Sequence, residues 1–457
     1  MEENAAGCAV FGVGQCGVQL CSDFYHTAKL VEKQSASDNK CGWLDSDATS
    51  FWLCDTEPRV LSERSSAFAA GAHMQCVQSR GKESGSANNW GLGYFGHGPL
   101  LSNDVLEGVR KTMEKSRPSS FILLHSAGGG TGSGAGSYLC ETLKEEYPEV
   151  ELGSVLVLPR LSGEITMQSY NVALTVSSLM KSADAILLKS NDQAEADAKK
   201  RNENGRQPSV KELNTTLAID LYHSLLQSEE DSMRHPLERW TDMTRARRKV
   251  LSSTFAPIIP SSFGQFETDT LTSLTTSVLT RVQRRWVVER KERGKQEEEE
   301  WKPDRAASAV VTLRGDLDEA RGEKEEGVMN AAEAALYKRD MQNDRGGGES
   351  RSGRRSVHAA ESTRGEITLL FDAKGKRGSK SYYSSRTSSS CFLPPRSAGC
   401  IANVRSGAEL LSPFLHSALD LHSVRAFSHH YLRHGVEDDD LRDGALTLQQ
   451  TLADYHI

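Results

Sequence analysis

Phe121-Ile-Leu-Leu-His125-Ser126-Ala-Gly128-Gly129-Gly130-Thr131-Gly132-Ser133-Gly134 is the stretch on which the reading of the fold turns. Five residues of strand character run into a glycine-dense turn, and helical spacing follows through Tyr147. Glycine lets a backbone enter left-handed conformations and approach an anion closely. Successive N–H groups of such a turn can cradle phosphate, and the helix start behind them adds partial positive charge. Thr131 and Ser133 add hydroxyl donors. A flexible glycine linker is the plain alternative, but linkers do not sit between an apolar strand and an amphipathic helix.

The same grammar recurs upstream. Cys8–Val13 is a short apolar run that breaks at Gly14-Gln15-Cys16-Gly17 and continues as a helix to Leu30. Gly12 to Gly17 also satisfies G-x-G-x-x-G, the dinucleotide fingerprint. A dinucleotide fold needs an acidic residue about 20 positions on, at the end of the next strand. Glu32 and Asp38 lie near that distance, and neither ends a strand pattern. Phe51–Cys54 is a further strand, followed by Asp55-Thr56-Glu57-Pro58; Val155–Leu158 and Ala185–Leu188 continue the series. Strands alternating with helices predict a mostly parallel α/β sheet covered on both faces. No G-x-x-x-x-G-K-[ST] occurs. Phosphate charge must therefore be met by backbone, helix ends and a metal, and Asp55 with Glu57 are the candidate Mg²⁺ carboxylates.

The chain has 457 residues, a net charge of −7 and an apolar share of 37%, which fits two or three packed units with surface insertions. The acidic balance argues against a nucleic-acid binder. Nine scattered cysteines without a Cys-x-x-Cys pair read as reduced and cytosolic thiols. No run approaches the roughly 18 apolar residues of a membrane span. Charge-rich stretches at about 285–305 and 340–390 read as disordered insertions. Ser412-Pro413 predicts a helix start, with Leu411, Leu415, Leu419 and Phe427 marking an apolar face; Leu448, Leu452 and Tyr455 mark a last helix. His429, His430 and His434 read as a polar helix face, and Asp438 to Asp440 as a solvated face or helix start.

Taken in order, these turns resemble the tubulin superfamily. Gly128 to Gly134 is similar to its signature, Gly14 to Gly17 to its first nucleotide loop, and Asp55 to Pro58 to its magnesium loop. Gly85-Ser-Ala-Asn88-Asn89-Trp90 resembles its third phosphate loop; Ser169-Tyr170-Asn171, then Asn191, resemble the ribose and guanine region. Leu213-Asn214 resembles the helix asparagine that reads the base. The resemblance implies a nucleotide-binding α/β domain over 1–205. A core helix and intermediate domain over 206–403, carrying both insertions, and C-terminal helices over 404–457 follow from it. It also implies GTP or GDP with Mg²⁺. Gln15 and Cys16 would serve base and phosphate, Asn88 the terminal phosphate, and Ser126, Gly130, Thr131 and Gly132 the phosphates. Glu164 would lie near the ribose, and Asn191 and Asn214 would hold guanine.

Within the family, Asn88 to Tyr94 with His97-Gly98-Pro99, and the ending His434 to Leu441, resemble the delta branch. That implies work in a cytoplasmic cytoskeletal assembly at centrioles, basal bodies, cilia or flagella, with other tubulin subunits or centriolar proteins as partners. In lattice tubulins one subunit supplies a glutamate to its neighbour's nucleotide. Arg245 stands at that position here, and Trp240 where asparagine is usual, while Asp242 persists. Arginine stays protonated and is no general base. Val210 replaces the aromatic that stacks on guanine. Nucleotide binding is thus expected and hydrolysis is not. The rivals are a lattice tubulin with GTPase cycling, an NAD-dependent oxidoreductase using Gly12 to Gly17, and a nucleotide-free structural relative.

Overall fold

Strands β1 (Cys8–Val13), β2 (Ser50–Asp55), β3 (Met74–Gln78), β4 (Ser120–Ser126), β5 (Glu151–Leu158) and β6 (Ala185–Ser190) all pair in parallel. The computed structural model describes residues 7–34, 44, 49–65, 68, 73–79, 85–163, 166–202, 206–225, 237–244, 248–258, 270–283, 308–314, 323–337, 366–372 and 396–455. With β7 (Val250–Ala256), β8 (Ser308–Arg314), β9 (Glu366–Asp372) and β10 (Ser397–Asn403), the sheet among these residues has ten strands, in the order β3-β2-β1-β4-β5-β6-β7-β10-β8-β9. β7 joins β6 in parallel. β10 lies antiparallel to β7 and to β8, and β9 lies parallel to β8.

β4 shows why the strands are apolar without interruption. Successive side chains leave a strand on opposite faces. Phe121 and Leu123 enter one core while Ile122 and Leu124 enter another. Over the first face lie α3 (Gly98–Lys115), α4 (Gly136–Glu146), α5 (Gln168–Ser182), α12 (Ser412–Ser423) and α14 (Asp438–Asp454). The second face carries α1 (Gly14–Gln34), α2 (Pro58–Ser65), α6 (Asn191–Arg201), α7 (Val210–Leu225) and α8 (Glu238–Met243). A third core gathers Leu274, Val278, Val311 and Val328 between β7, β8, β10, α9 (Leu271–Gln283) and α10 (Glu325–Tyr337). α7 is buried along most of its length and touches both α1 and β10, so it joins the half built on β1 to β6 to the rest. Two short helices, α11 (Arg405–Ala408) and α13 (Ser428–Leu432), complete the chain.

Three expectations are corrected. β9 lies inside the stretch 340–390 read as an insertion, and Glu366-Ile-Thr-Leu-Leu-Phe-Asp372 is its strand pattern; 285–305, 340–365 and 373–390 lie outside the described residues. Ser412 does not cap α12, because a 3₁₀ turn at Glu409–Leu411 runs straight into it, and Leu411 holds the cap position. Leu419 is exposed while Leu411 and Leu415 are buried. The acidic run begins α14: Glu437 and Asp440 form a reciprocal capping box, and carboxylates suit the positive end of a helix. Among the described residues no helix is long and apolar enough to cross a membrane.

Candidate functional site

In this strand order β1 and β4 are neighbours whose connections leave in opposite directions. Open α/β sheets bind ligands at such a switch point, outside the carboxyl ends of the strands. The loops read from the sequence all leave that edge.

After β1 the chain enters α1 through Gly14, whose φ of +71° belongs to the left-handed region; a Cβ there would stand 2.8 Å from the Gly132 nitrogen. The first and fourth loops therefore touch backbone to backbone. Gln15 is exposed and Cys16 half-buried. Burial pushes the Cys16 thiol up to about 11, so it is a neutral wall and not a nucleophile. After β4, a π-helical turn at Thr131–Ala135 leads into α4, and the Gly134 N–H donates to the Gly130 carbonyl at 2.8 Å. A Cβ on Gly130 would come within 2.5 Å of the Ser86 carbonyl oxygen, so the third and fourth loops also meet through a glycine.

Hydroxyls mark the meeting place. Thr131 Oγ1 lies 2.9 Å from Ser86 Oγ and 3.2 Å from Thr56 Oγ1, joining the loops after β2, β3 and β4. Ser133 differs from expectation: its buried hydroxyl donates to the Gly129 carbonyl and braces the turn. Ser126 closes β4 beside Gly132. Below the hydroxyls, Asp55 is buried; its Oδ1 accepts from the Thr56 N–H at 2.7 Å and the Glu57 N–H at 3.3 Å. Its Oδ2 is buried with no hydrogen-bond partner among the described residues. Burial pushes this carboxyl from 3.8 up to about 6, against those backbone donors. Glu57 is exposed, its Oε1 close to Gly85. An orphan carboxylate oxygen beside a second carboxylate and a hydroxyl fits the oxygen-only preference of Mg²⁺.

The turn at 85–89 bends through left-handed residues at Gly85, Ala87 and Asn88, the last exposed. Asn171 of α5 fixes it. Its Nδ2 donates to the carbonyls of Asn88 (2.8 Å) and Gly128 (2.9 Å), and its Oδ1 accepts from the Trp90 N–H (3.0 Å) and the Tyr431 hydroxyl (2.7 Å). His125 braces the fourth loop from beneath. The Gly132 carbonyl can only accept, so His125 Nδ1 donates to it (2.8 Å) and Nε2 accepts from Ser154 (2.8 Å). Burial pulls this imidazole from 6.5 down to about 4, which keeps it neutral.

Asn214 of α7 is buried beside α1, its Nδ2 donating to Gln19 Oε1 at 3.1 Å. Asn191 starts α6 at the carboxyl end of β6, after Ser190, whose Oγ accepts from the Gln193 N–H. The strand spacing puts that end about 10 Å from β4 along the same edge. Val210 is exposed at the head of α7, and Trp240 is fully buried, donating to the Ser224 carbonyl. Glu164 and Arg245 lie outside the described residues. Gly14, Asp55, Asn88, Ser126 and Gly128 to Gly134 thus form one cluster; Gln15 and Cys16 lie at the start of α1, Asn214 of α7 packs beside that helix, and Asn191 stands two strands from β4. Sequence reasoning missed Thr56, Ser86, Gln19, His125 and the bracing role of Asn171. All but Gln19 sit inside or beside stretches it had singled out.

Residues 8–198 match the family model described as Tubulin/FtsZ family, GTPase domain. This segment of the chain is thus similar to the GTPase domain of the Tubulin/FtsZ family. It is similar to the tubulin delta chain of Homo sapiens, at 30% identity over 202 residues, covering 39% of this chain and 44% of that one. The tubulin delta chain of Mus musculus is 30% identical over 231 residues, 46% and 50% of the two chains. The mouse tubulin epsilon chain is 30% identical over 206 residues, 39% and 42%. The chain thus spans about half the length, or less, of these curated tubulins. Both the delta resemblance and the α/β fold read from the loops agree with these matches. A GTPase domain implies a guanine nucleotide, which disfavours the dehydrogenase reading of Gly12 to Gly17.

Proposed function

We propose that this chain binds GTP or GDP with Mg²⁺ at the β1/β4 switch point and acts as a delta-like tubulin in centriole, basal-body, ciliary or flagellar assembly. The observation that carries the reading is the convergence of Thr56, Ser86 and Thr131 hydroxyls over the Gly128 to Gly134 backbone, with no lysine among them. Polyphosphate would rest on the N–H groups of that loop and on the start of α4, whose dipole favours negative charge. Asp55 and Glu57 would hold the Mg²⁺, which when bound neutralises phosphate charge. With Asn214 Nδ2 turned to Gln19, its Oδ1 is left to accept; guanine offers N–H donors on that edge and adenine offers a lone pair. Asn191 would add the second amide.

Binding without rapid turnover follows from Arg245 and Trp240. The buried indole cannot reach a neighbouring subunit's nucleotide, and arginine cannot deprotonate water. The similarity to delta and epsilon chains supports the assembly role, with other tubulin subunits or centriolar proteins as partners. The test is to identify the nucleotide that copurifies with the full chain and repeat this for Thr131→Ala/Asn191→Ala. Guanine nucleotide in the parent and none in the variant is expected. A parent free of nucleotide, or holding a nicotinamide one, refutes the reading. Rapid GTP turnover and copelleting throughout the microtubule lattice would instead favour a lattice tubulin.

A further inference from the structure

Beyond the phosphate loops, β6 ends beside a cavity of ≈ 340 Å³ whose wall includes Lys189, Asp197, Thr216, Asp220, Ser253 and Arg281. The ladder between β6 and β7 stops at Leu188 opposite Ser252. Lys189 and Ser190 still pair with Val157 and Leu158 of β5, but have no β7 partner. A side chain crosses the gap instead. Lys189 Nζ forms an ion pair with Asp220 Oδ2 at 2.8 Å and donates to Ser253 Oγ, and the lysine side chain is only 2% exposed. A buried charge of this kind stays only where its partner stays, so the pair is a fixed strut. α6 is held separately: Arg281 pairs with Asp197 at 2.6 Å and donates to Thr254 at 3.0 Å.

The strut joins the two elements whose asparagines would read the base. Lys189 is two residues before Asn191. Asp220 is six residues after Asn214 on α7, which places it about 9 Å further along the axis and about 120° round the helix. Asn214 accordingly faces Gln19 of α1 while Asp220 faces the cavity. Fixing Asp220 therefore fixes the rotation and the height of α7 against the end of β6. We infer that Lys189 is a positioning residue for nucleotide specificity: through Asp220 it sets the separation and mutual orientation of Asn191 and Asn214. This rests on the guanine-nucleotide reading above.

The experiment compares the affinities of the full chain for GTP, ITP, ATP and GDP in the parent and in Lys189→Met. ITP lacks only the 2-amino group, so it reports the base contacts alone. The variant is expected to lose about tenfold in its preference for GTP over ITP and ATP, the loss of one well-made base contact. Its ratio of GTP to GDP should not move, because the phosphates meet loops on other strands. Should Lys189→Met fail to fold with Asp220 left unpaired, Lys189→Met/Asp220→Leu removes both charges and is expected to fold with the same loss of preference. A folded double variant with the parent's GTP-to-ITP preference overturns the inference, as does an equal loss for all four nucleotides. A parent that does not prefer GTP to ATP refutes the guanine reading itself, a separate result visible before any variant is made.

Discussion

Replacing His125 by leucine isolates the support beneath the phosphate loop. Leucine fills much of the ring's space and makes neither hydrogen bond, so the Gly132 carbonyl and Ser154 hydroxyl are left buried and unpaired. Each such orphan costs about 1–3 kcal/mol, giving about 2–6 kcal/mol at neutral pH, a large part of ordinary domain stability. The pH dependence identifies the cause. In the folded parent this imidazole titrates at about 4, whereas its ordinary value is 6.5. Between those values the unfolded chain binds the proton and the folded one does not, so the parent loses stability as pH falls from 6.5 towards 4. By pH 4.5 that loss is about 2 kcal/mol. The variant lacks it. His223, pulled down to about 3 by burial, contributes a slope of the same sign to both proteins and cancels in the comparison. Urea unfolding from pH 7 to 4.5 should therefore show the gap between parent and variant narrowing by about 2 kcal/mol. A gap that is absent at pH 7, or constant with pH, refutes the reasoning.

Asp55→Asn keeps an acceptor for the Thr56 and Glu57 N–H groups and removes the charge; the Mg²⁺ dependence of GTP affinity should vanish while metal-free GDP binding persists, read by calorimetry with and without chelator. Tyr431→Phe removes the donor to Asn171 Oδ1 and to the Met167 carbonyl, and should lower stability by about 1–2 kcal/mol in urea unfolding. Gly130→Ala drives a Cβ to 2.5 Å from the Ser86 carbonyl, so nucleotide should be absent from the purified variant even where circular dichroism shows a folded chain.

The half built on β1 to β6 was legible because its signals are local. An apolar run such as Phe121 to Leu124, buried on both faces, can only be an inner strand of a covered sheet, and the glycines after it have a use only where backbones meet. β9 was missed because its seven residues are embedded in charged flanks, where composition outweighs a short pattern. The bracing by Asn171 could not be read, since one of its partners, Tyr431, is 260 residues away and the choice of rotamer belongs to the packed state. Likewise Ser133 and Thr131 look equivalent as neighbouring hydroxyls, yet one serves the loop's own carbonyl and the other faces the adjoining loops. Spacing names the segment; only packing decides which way each side chain turns.

The amide of Asn171 ties the chain's beginning to its end. The recognisable GTPase segment stops at residue 198, yet its inner face is roofed by Phe414, Tyr431, Leu441 and Leu448, which share one apolar interior with Val172, Val176 and Trp90. A fragment cut at that boundary would bare this face to water and take from Asn171 the Tyr431 hydroxyl that holds its amide. The matched segment and the packed unit therefore have different borders in this molecule, and whatever grips the last helices from outside also has a hand on the Gly128 to Gly134 loop.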